Sequence, residues 1–417
     1  MKKIELLAPA GDLEKLKIAI IYGADAVYFG GQHFSLRAGA GGLSIDEMKE
    51  GLSFAHDRGK KCYLTLNIYA HNDDIDPLYE YLYEIKDLPL DGILVSDPGI
   101  MMMIKEVIPN MEIHLSTQAN MTNSKTAMFW REMGMKRLVL ARELSLKEIK
   151  EIRENLPEDV ELEAFVHGAM CISYSGRCLL SNFMTGRDSN RGACAHPCRY
   201  KYVLEEEKRP GEFYPIEEDA RGTYIMNSKD LCMIEHIPEL VQAGVVSAKI
   251  EGRMKSIYYI AAVIMAYRKA IDAYYMNPDS WKVDPAWITE LEKASHREFT
   301  TGFYFDYPND AQNYKTSSYI KNYSFTGLVM NYDEKTNMAL VEQRNKMVLG
   351  DLIEYFGPDG KCFSGDITKM LDYSTGEPIS EAPHPKQKIL IQVDEPVKEY
   401  YMLRKKIEKD EEDNNAI

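Results

Sequence analysis

Through the first 250 residues one pattern recurs: a short, nearly continuous apolar run, a turn, then a segment whose apolar positions repeat at helical spacing. The apolar runs fall at residues 4–8, 26–30, 62–67, 92–96, 112–117, 137–141, 162–166 and 247–250. Runs without polar alternation are what strands buried on both faces of a parallel sheet require. Helical spacing appears between them at 12–22, 45–58, 76–86 and 146–155. Asp12 and Ser44 stand where N-caps belong, and Gly23 and Gly59 follow helix ends. Eight strand–helix repeats over this length predict an α/β fold of the (β/α)8 TIM-barrel type. An open doubly wound sheet would carry a glycine-rich turn after the first strand. That turn here is Pro9-Ala10-Gly11-Asp12, with one glycine.

The spacing breaks once. About eighty residues, 167–246, separate the seventh and eighth strands, and a loop of that length inside a compact domain is usually functional. In a barrel it leaves the C-terminal end of a strand, the face on which active sites sit. Helices are expected at 258–275 and 286–294. The predicted division is a barrel over 1–305 with its Cys-rich insertion, a small all-β domain over 318–403 and a charged, disordered tail over 404–417. The β domain is read from short alternating runs broken by turns at 357–360 and 374–376.

Composition narrows the function. The chain has 417 residues, 50 Lys and Arg against 65 Asp and Glu, and a net charge of −15. That balance argues against coating nucleic acid by bulk charge. No apolar stretch reaches the ~18 residues of a membrane span, and the apolar run after Lys2 and Lys3 is too short for a secretory signal. A cytoplasmic protein without membrane contact is expected. Seven cysteines are too few, and odd in number, for a disulfide scaffold.

Five of those cysteines, Cys171, Cys178, Cys194, Cys198 and Cys232, fall within 62 positions. Structural zinc would show two close Cys pairs, and only Cys194/Cys198 qualifies. Thiolates at irregular spacing on one loop suit an iron–sulfur cluster. The alternatives are unligated thiols and a Cys–His nucleophile such as Cys171 with His167. The same loop is basic: between residues 176 and 201 Arg177, Arg187, Arg191, Arg199 and Lys201 face one acid, Asp188. It is either plain surface charge or a phosphate-binding rim, with Tyr174, Phe183 and Tyr200 available for base stacking.

The predicted strand ends offer Asn67, Asp97, Ser116, Thr117, Gln118, Glu143, His167, Asn227, Lys229, Glu251 and Arg253. Polar residues cap strand ends in any barrel. Taken together, these could also line a pocket for a small anion, with Arg253 able to grip a carboxylate bidentately.

Several stretches carry a resemblance: EAFVHGAMCISYSGRCLLS (163–181), LLAPAGDLEKLKIAIIYGADAVYFGG (6–31), LSTQANMTN (115–123), RGACAHPCRYKY (191–202), NSKDLCMIEHIPELVQAG (227–244), KIEGRMKS (249–256) and SHREFTTGFYF (295–305). They resemble the collagenase-like peptidase family, peptidases of unassigned catalytic type, over nearly the whole chain. The resemblance implies iron–sulfur hydroxylation chemistry. One branch acts in ubiquinone hydroxylation without oxygen and another on ribosomal RNA. The branch of matching length and appended β module converts the tRNA wobble uridine to 5-hydroxyuridine with prephenate as co-substrate. It implies tRNA and prephenate as partners and leaves room for a second family member. It also implies a 4Fe-4S cluster on Cys171, Cys178, Cys194 and Cys232, with Cys198 as the alternative ligand. His167, Glu251 and Arg253 are the expected catalytic groups. Asn67, Gln118, Arg177, Asn227 and Arg253 are the expected substrate contacts, with Arg142 as an alternative to Arg177. The competing readings are proteolysis, as the family name says, and a non-catalytic RNA- or protein-binding scaffold. The sequence has neither a Gly-x-Ser-x-Gly elbow nor a His-Glu-x-x-His helix.

Overall fold

The computed structural model describes residues 3–35, 42–171, 173–199, 203–205, 213–215, 229–305 and 319–407. Strands β1 (Glu5–Ala10), β2 (Ala26–Gly30), β3 (Lys61–Leu66), β4 (Gly92–Val95), β5 (Ile113–Leu115), β6 (Arg137–Val139) and β7 (Glu161–Ala169) pair in sequence order, all parallel. In the segment after β7, the short strands β8 (Val203–Glu205) and β9 (Phe213–Pro215) pair antiparallel. Strand β10 (Asp230–Cys232) then turns back antiparallel along the end of β7. Strand β11 (Val245–Ile250) pairs parallel with both β7 and β1. Among the described residues, eight parallel strands therefore close on themselves. The barrel expected from the apolar pattern is present.

Its helices start where the sequence supplies caps. Asp12 accepts from Lys15 N at the head of α1 (Leu13–Ile21). Ser44 and Glu47 form a capping box on α2 (Ile45–His56). The outer layer continues with α3 (Ile75–Ile85), α4 (Pro98–Val107), α5 (Ser124–Glu132) and α6 (Leu146–Glu154). A short helix, α7 (Leu180–Thr185), lies in the cysteine-bearing loop. After β10 come α8 (Ile237–Gln242) and, beyond β11, the long buried α9 (Ile257–Met276) and α10 (Pro285–Lys293). Strand β12 (Phe299–Thr300) adds to β10.

Branched aliphatics usually fill the interior layers of such a barrel. Here one level is ionic. Arg137 bonds Glu5 at 2.5 Å, Glu161 at 2.6 Å and Glu163 at 3.2 Å. Ser247 donates to Glu5 and Glu163 at 2.9 and 3.2 Å, and Tyr63 donates to Glu5 at 2.9 Å. Lys249 donates to Glu163 at 2.7 Å. Burial works to raise the Glu163 carboxyl, but the Lys249 and Arg137 cations outweigh it and hold it below the usual carboxylate range.

The C-terminal module is an antiparallel sheet built on β13 (Tyr323–Asp333), β14 (Met338–Gln343), β16 (Leu352–Phe356), β17 (Cys362–Asp366), β18 (Met370–Asp372), β20 (Lys388–Gln392) and β21 (Met402–Lys406). A two-stranded pair, β15 (Met347–Val348) with β19 (Glu381–Ala382), flanks it. The module has its own core around Val341, Ile353, Ile391 and Leu403. Strand β21 runs to Lys406, so residues 404–406 are strand and not the disordered tail expected from 404. The cause is Arg404, which is fully buried and bonded to Glu290 of α10, to Glu354 of β16 and to the Tyr258 hydroxyl of α9. Residues 408–417 lie outside the described residues.

Candidate active site

A cavity of about 250 Å³ opens at the C-terminal ends of the barrel strands. Its wall takes Tyr28 from β2, Thr65 and Asn67 from β3 and its end, Ser116, Thr117 and Gln118 after β5, Phe165 from β7, and Lys249, Glu251 and Arg253 from β11 and its extension. Lys249 stands on β11, and Glu251 and Arg253 follow in the turn beyond its end, where Gly252 has φ +154°. The cysteine-bearing loop closes over this mouth and contributes Cys171, Cys178, Cys194 and Cys198, together with Tyr174, Gly176, Arg187 and His196.

The wall is cationic. Arg253 donates to Thr65 Oγ1 at 3.0 Å, and Lys249 stands 4.2 Å over the Tyr28 ring. Arg142 donates to the Ala169 carbonyl at 2.7 Å and lies 4.6 Å over the Phe165 ring. With Arg187 these are four basic side chains against Glu251 among the lining residues; Lys249 is already paired with Glu163, and the three guanidinium groups attract small polyanions. Glu143 flanks a smaller recess shared with Arg142 and Cys171, and burial raises its carboxyl.

Gln118 differs from its neighbours. Asn67 donates to Ser116 Oγ at 3.3 Å, but Gln118 is 1% exposed and, among the described residues, neither its Oε1 nor its Nε2 has a partner. Its backbone carbonyl accepts from Tyr69 and Asn120, and Gly176 of the cysteine-bearing loop lies against its amide nitrogen.

The structure thus gathers Asn67, Gln118, Glu251, Arg253 and four loop cysteines on one wall. Others fall elsewhere. His167, an expected catalytic group, is not on the cavity wall. It is buried between the rings of Tyr259, Tyr267 and Phe299, and burial, with Lys255 and His296 nearby, pushes its imidazole down to about 3. The catalytic role expected for it is withdrawn. Arg177 is exposed and does not line the cavity; Arg187, ten residues on, does. Cys232 on β10 is not among the lining residues; its thiol lies 3.9 Å from the Tyr267 hydroxyl, and burial pushes it up to about 11. Lys229 pairs with Glu298 at 3.1 Å, and Asp97 caps α4. Asn227 lies outside the described residues. Sequence reasoning missed Lys249, although its place two and four residues before Glu251 and Arg253 was a usable signal.

Residues 11–314 match the model of peptidase family U32, and residues 321–404 match that family's C-terminal domain. The chain belongs to peptidase family U32. It is 46% identical over 406 residues to a Bacillus subtilis (strain 168) protein named tRNA hydroxylation protein P1, covering 97% of this chain and 95% of that protein. It is 38% identical to the Escherichia coli (strain K12) tRNA hydroxylation protein P, covering 92% of each. A third relative, the 23S rRNA 5-hydroxycytidine C2501 synthase of Escherichia coli (strain K12), is 34% identical over 72% of this chain and 45% of its own length. Among the described residues no helix of this U32 chain is long and apolar enough to cross a membrane.

Proposed function

We infer that this U32 chain is an enzyme of tRNA hydroxylation, converting the wobble uridine to 5-hydroxyuridine with prephenate as co-substrate and a 4Fe-4S cluster at the barrel mouth. The observation that carries the reading is that four thiols and four basic side chains line one cavity. Relatives named for tRNA hydroxylation over most of the chain support it.

Such a cluster takes Cys thiolates as ligands, and the loop supplies the thiols, but among the described residues no three Cys, His, Asp or Glu side chains are gathered closely enough to hold a metal ion. Cys171, Cys178 and Cys194 would hold it, with Cys198 on the wall or Cys232 on β10 as the fourth ligand. Such a cluster supplies one-electron and Lewis-acid chemistry. The protein's own part is to grip and orient. Arg253, Arg142 and Lys249 bind the two carboxylates of prephenate, and Glu251 is placed to exchange a proton inside the cavity. At the rim Arg177 and Arg187 are exposed, and so are Tyr174, Leu179 and Phe183, the last at 88%. Exposed cations interleaved with aromatics suit a single-stranded RNA loop.

Iron and acid-labile sulfide on anaerobically purified protein test this, with about four of each expected per chain. Cys178→Ala should lose them, and tRNA from cells lacking the protein should lose 5-hydroxyuridine by nucleoside mass spectrometry. One observation favours proteolysis instead: Cys194 Sγ lies 3.9 Å from His196 Nδ1. On that reading iron-free protein cleaves gelatin and Cys194→Ala stops it. A thiolate bound to iron cannot also attack a peptide bond, so the two readings exclude each other at this residue.

A further inference from the structure

Cations and aromatic rings alternate along the cavity wall. Lys249 of β11 and Phe165 of β7 are register partners on adjacent strands, so their side chains stand on one face of the sheet. Lys249 Nζ lies 5.5 Å from the Phe165 ring centroid and 4.2 Å from that of Tyr28 on β2. Arg142 stands 4.6 Å over the Phe165 ring, and Arg253 lies 6.0 Å from the Tyr28 centroid. The contacts therefore run Arg253–Tyr28–Lys249–Phe165–Arg142, and all five residues line the cavity.

This alternation keeps charge available. A cation taken out of water needs compensation. A carboxylate supplies it by neutralising the charge, as Glu163 does for Lys249. An aromatic face attracts a cation through its quadrupole and leaves the net charge in place. At the two ends of the series, Arg253 and Arg142 each combine a ring with a neutral oxygen, the Thr65 hydroxyl at 3.0 Å and the Ala169 carbonyl at 2.7 Å. The rings themselves are fixed. Tyr28 and Phe165 are buried, and the Tyr28 hydroxyl donates to the Ile250 carbonyl at 2.9 Å. Gly30, two residues on from Tyr28 in β2, leaves room for the guanidinium: a Cβ there would stand 3.0 Å from Arg253 Nη1. An arginine alone has many rotamers. Two buried rings narrow them.

We propose that Tyr28 and Phe165 are positioning residues for the cavity's anion contacts: they hold Arg253 and Arg142 charged and in place, so that the site takes a ligand with two carboxylates in preference to one. The inference rests on the prephenate reading above and names the residues that act through its two guanidinium contacts.

The test uses the full chain, purified anaerobically, and calorimetric titration at neutral pH with prephenate and with phenylpyruvate, which has a similar ring and one carboxylate. Wild-type protein should prefer prephenate. In Tyr28→Leu and in Phe165→Leu that preference should shrink roughly 10-fold, the loss expected when a desolvated cation–π contact is removed. Iron content and melting temperature should stay at wild-type values. Where leucine lowers the melting temperature, methionine at the same position replaces it, being bulkier and also non-aromatic. Tyr28→Phe, which keeps the ring, should recover most of the preference. A purely structural role would weaken both ligands alike, so an unchanged preference in the non-aromatic variants overturns the proposal. Equal binding of the two ligands by wild-type protein overturns it too, as does a preference lost in Tyr28→Phe. If wild-type protein binds neither ligand, the prephenate reading itself falls, and the assignment with it.

Discussion

Two basic residues of the cavity wall, Lys249 and Arg253, make different contacts. Lys249 is 3% exposed and anchored on Glu163, which is itself fully enclosed and shared with Arg137 and Ser247. Removing one member of a buried ion pair leaves the other charge uncompensated, at a cost of about 3–5 kcal/mol. Lys249→Met should therefore lower unfolding free energy by that order in a urea titration. Arg253 donates to the Thr65 hydroxyl at 3.0 Å. Its guanidinium offers the planar fork that lysine lacks. In Arg253→Lys cells, 5-hydroxyuridine should fall about tenfold, the effect of roughly 1.4 kcal/mol at the transition state, with iron content unchanged. Both residues were within reach of sequence reasoning, but unequally. Arg253 follows a strand and reads as a site residue. Lys249 interrupts an apolar run, as Arg137 and Glu163 do, and nothing local says that three charges on separate strands meet inside one barrel.

Among the elements, the strands were the most legible part, because a two-sided buried strand announces itself as an unbroken apolar run. The loop after β7 was legible only as a place. Its cysteines and arginines pointed to chemistry, yet which of them reach the cavity depends on how the loop folds over the mouth, which no periodicity encodes. Hence Arg187 rather than Arg177 lines the wall, and Cys232, carried on β10 instead of the loop, lies beside Tyr267. His167 failed for a related reason: a residue at a strand's end was expected at the mouth, but β10 pairs across it and α9 covers it. Gly176 is a tight point of the loop. Alanine there would need a left-handed backbone, at about 1 kcal/mol, and would press on Tyr69 and Gln118. Gly176→Ala should leave the thermal transition of the barrel within a degree or two, because the loop adds little to its core, while 5-hydroxyuridine in cells falls sharply. A large loss of melting temperature would show that the loop is part of the folding core instead.

Over the whole molecule, barrel and β module are joined by charge as well as by apolar packing. Phe356 and Met402 of the module belong to the barrel's core cluster, and the Tyr22 hydroxyl of the barrel donates to the Tyr400 carbonyl at 2.8 Å. At the centre stands Arg404, fully buried, bonded to Glu290 on one side and Glu354 on the other, with Lys293 also on Glu354 at 2.8 Å. Burial works to raise the Glu354 carboxyl, but Arg404 and Lys293 outweigh it and hold it below its usual value. A carboxylate depressed in the folded state stabilises it above the unfolded value of about 4.3 and stops doing so as pH falls through the folded value. The joint between the two units should therefore be intact at neutral pH and weaken below about pH 4. Arg404→Leu keeps much of the apolar stem but leaves two carboxylates with only Lys293 beside them, and should cost about 3 kcal/mol at pH 7. Part of that loss should disappear near pH 3.5, where the stranded carboxylates take up protons. Denaturation curves at the two pH values check the sign. A deficit that is the same at both would mean that packing of the Arg404 stem against Phe356, rather than its charge, holds the module to the barrel.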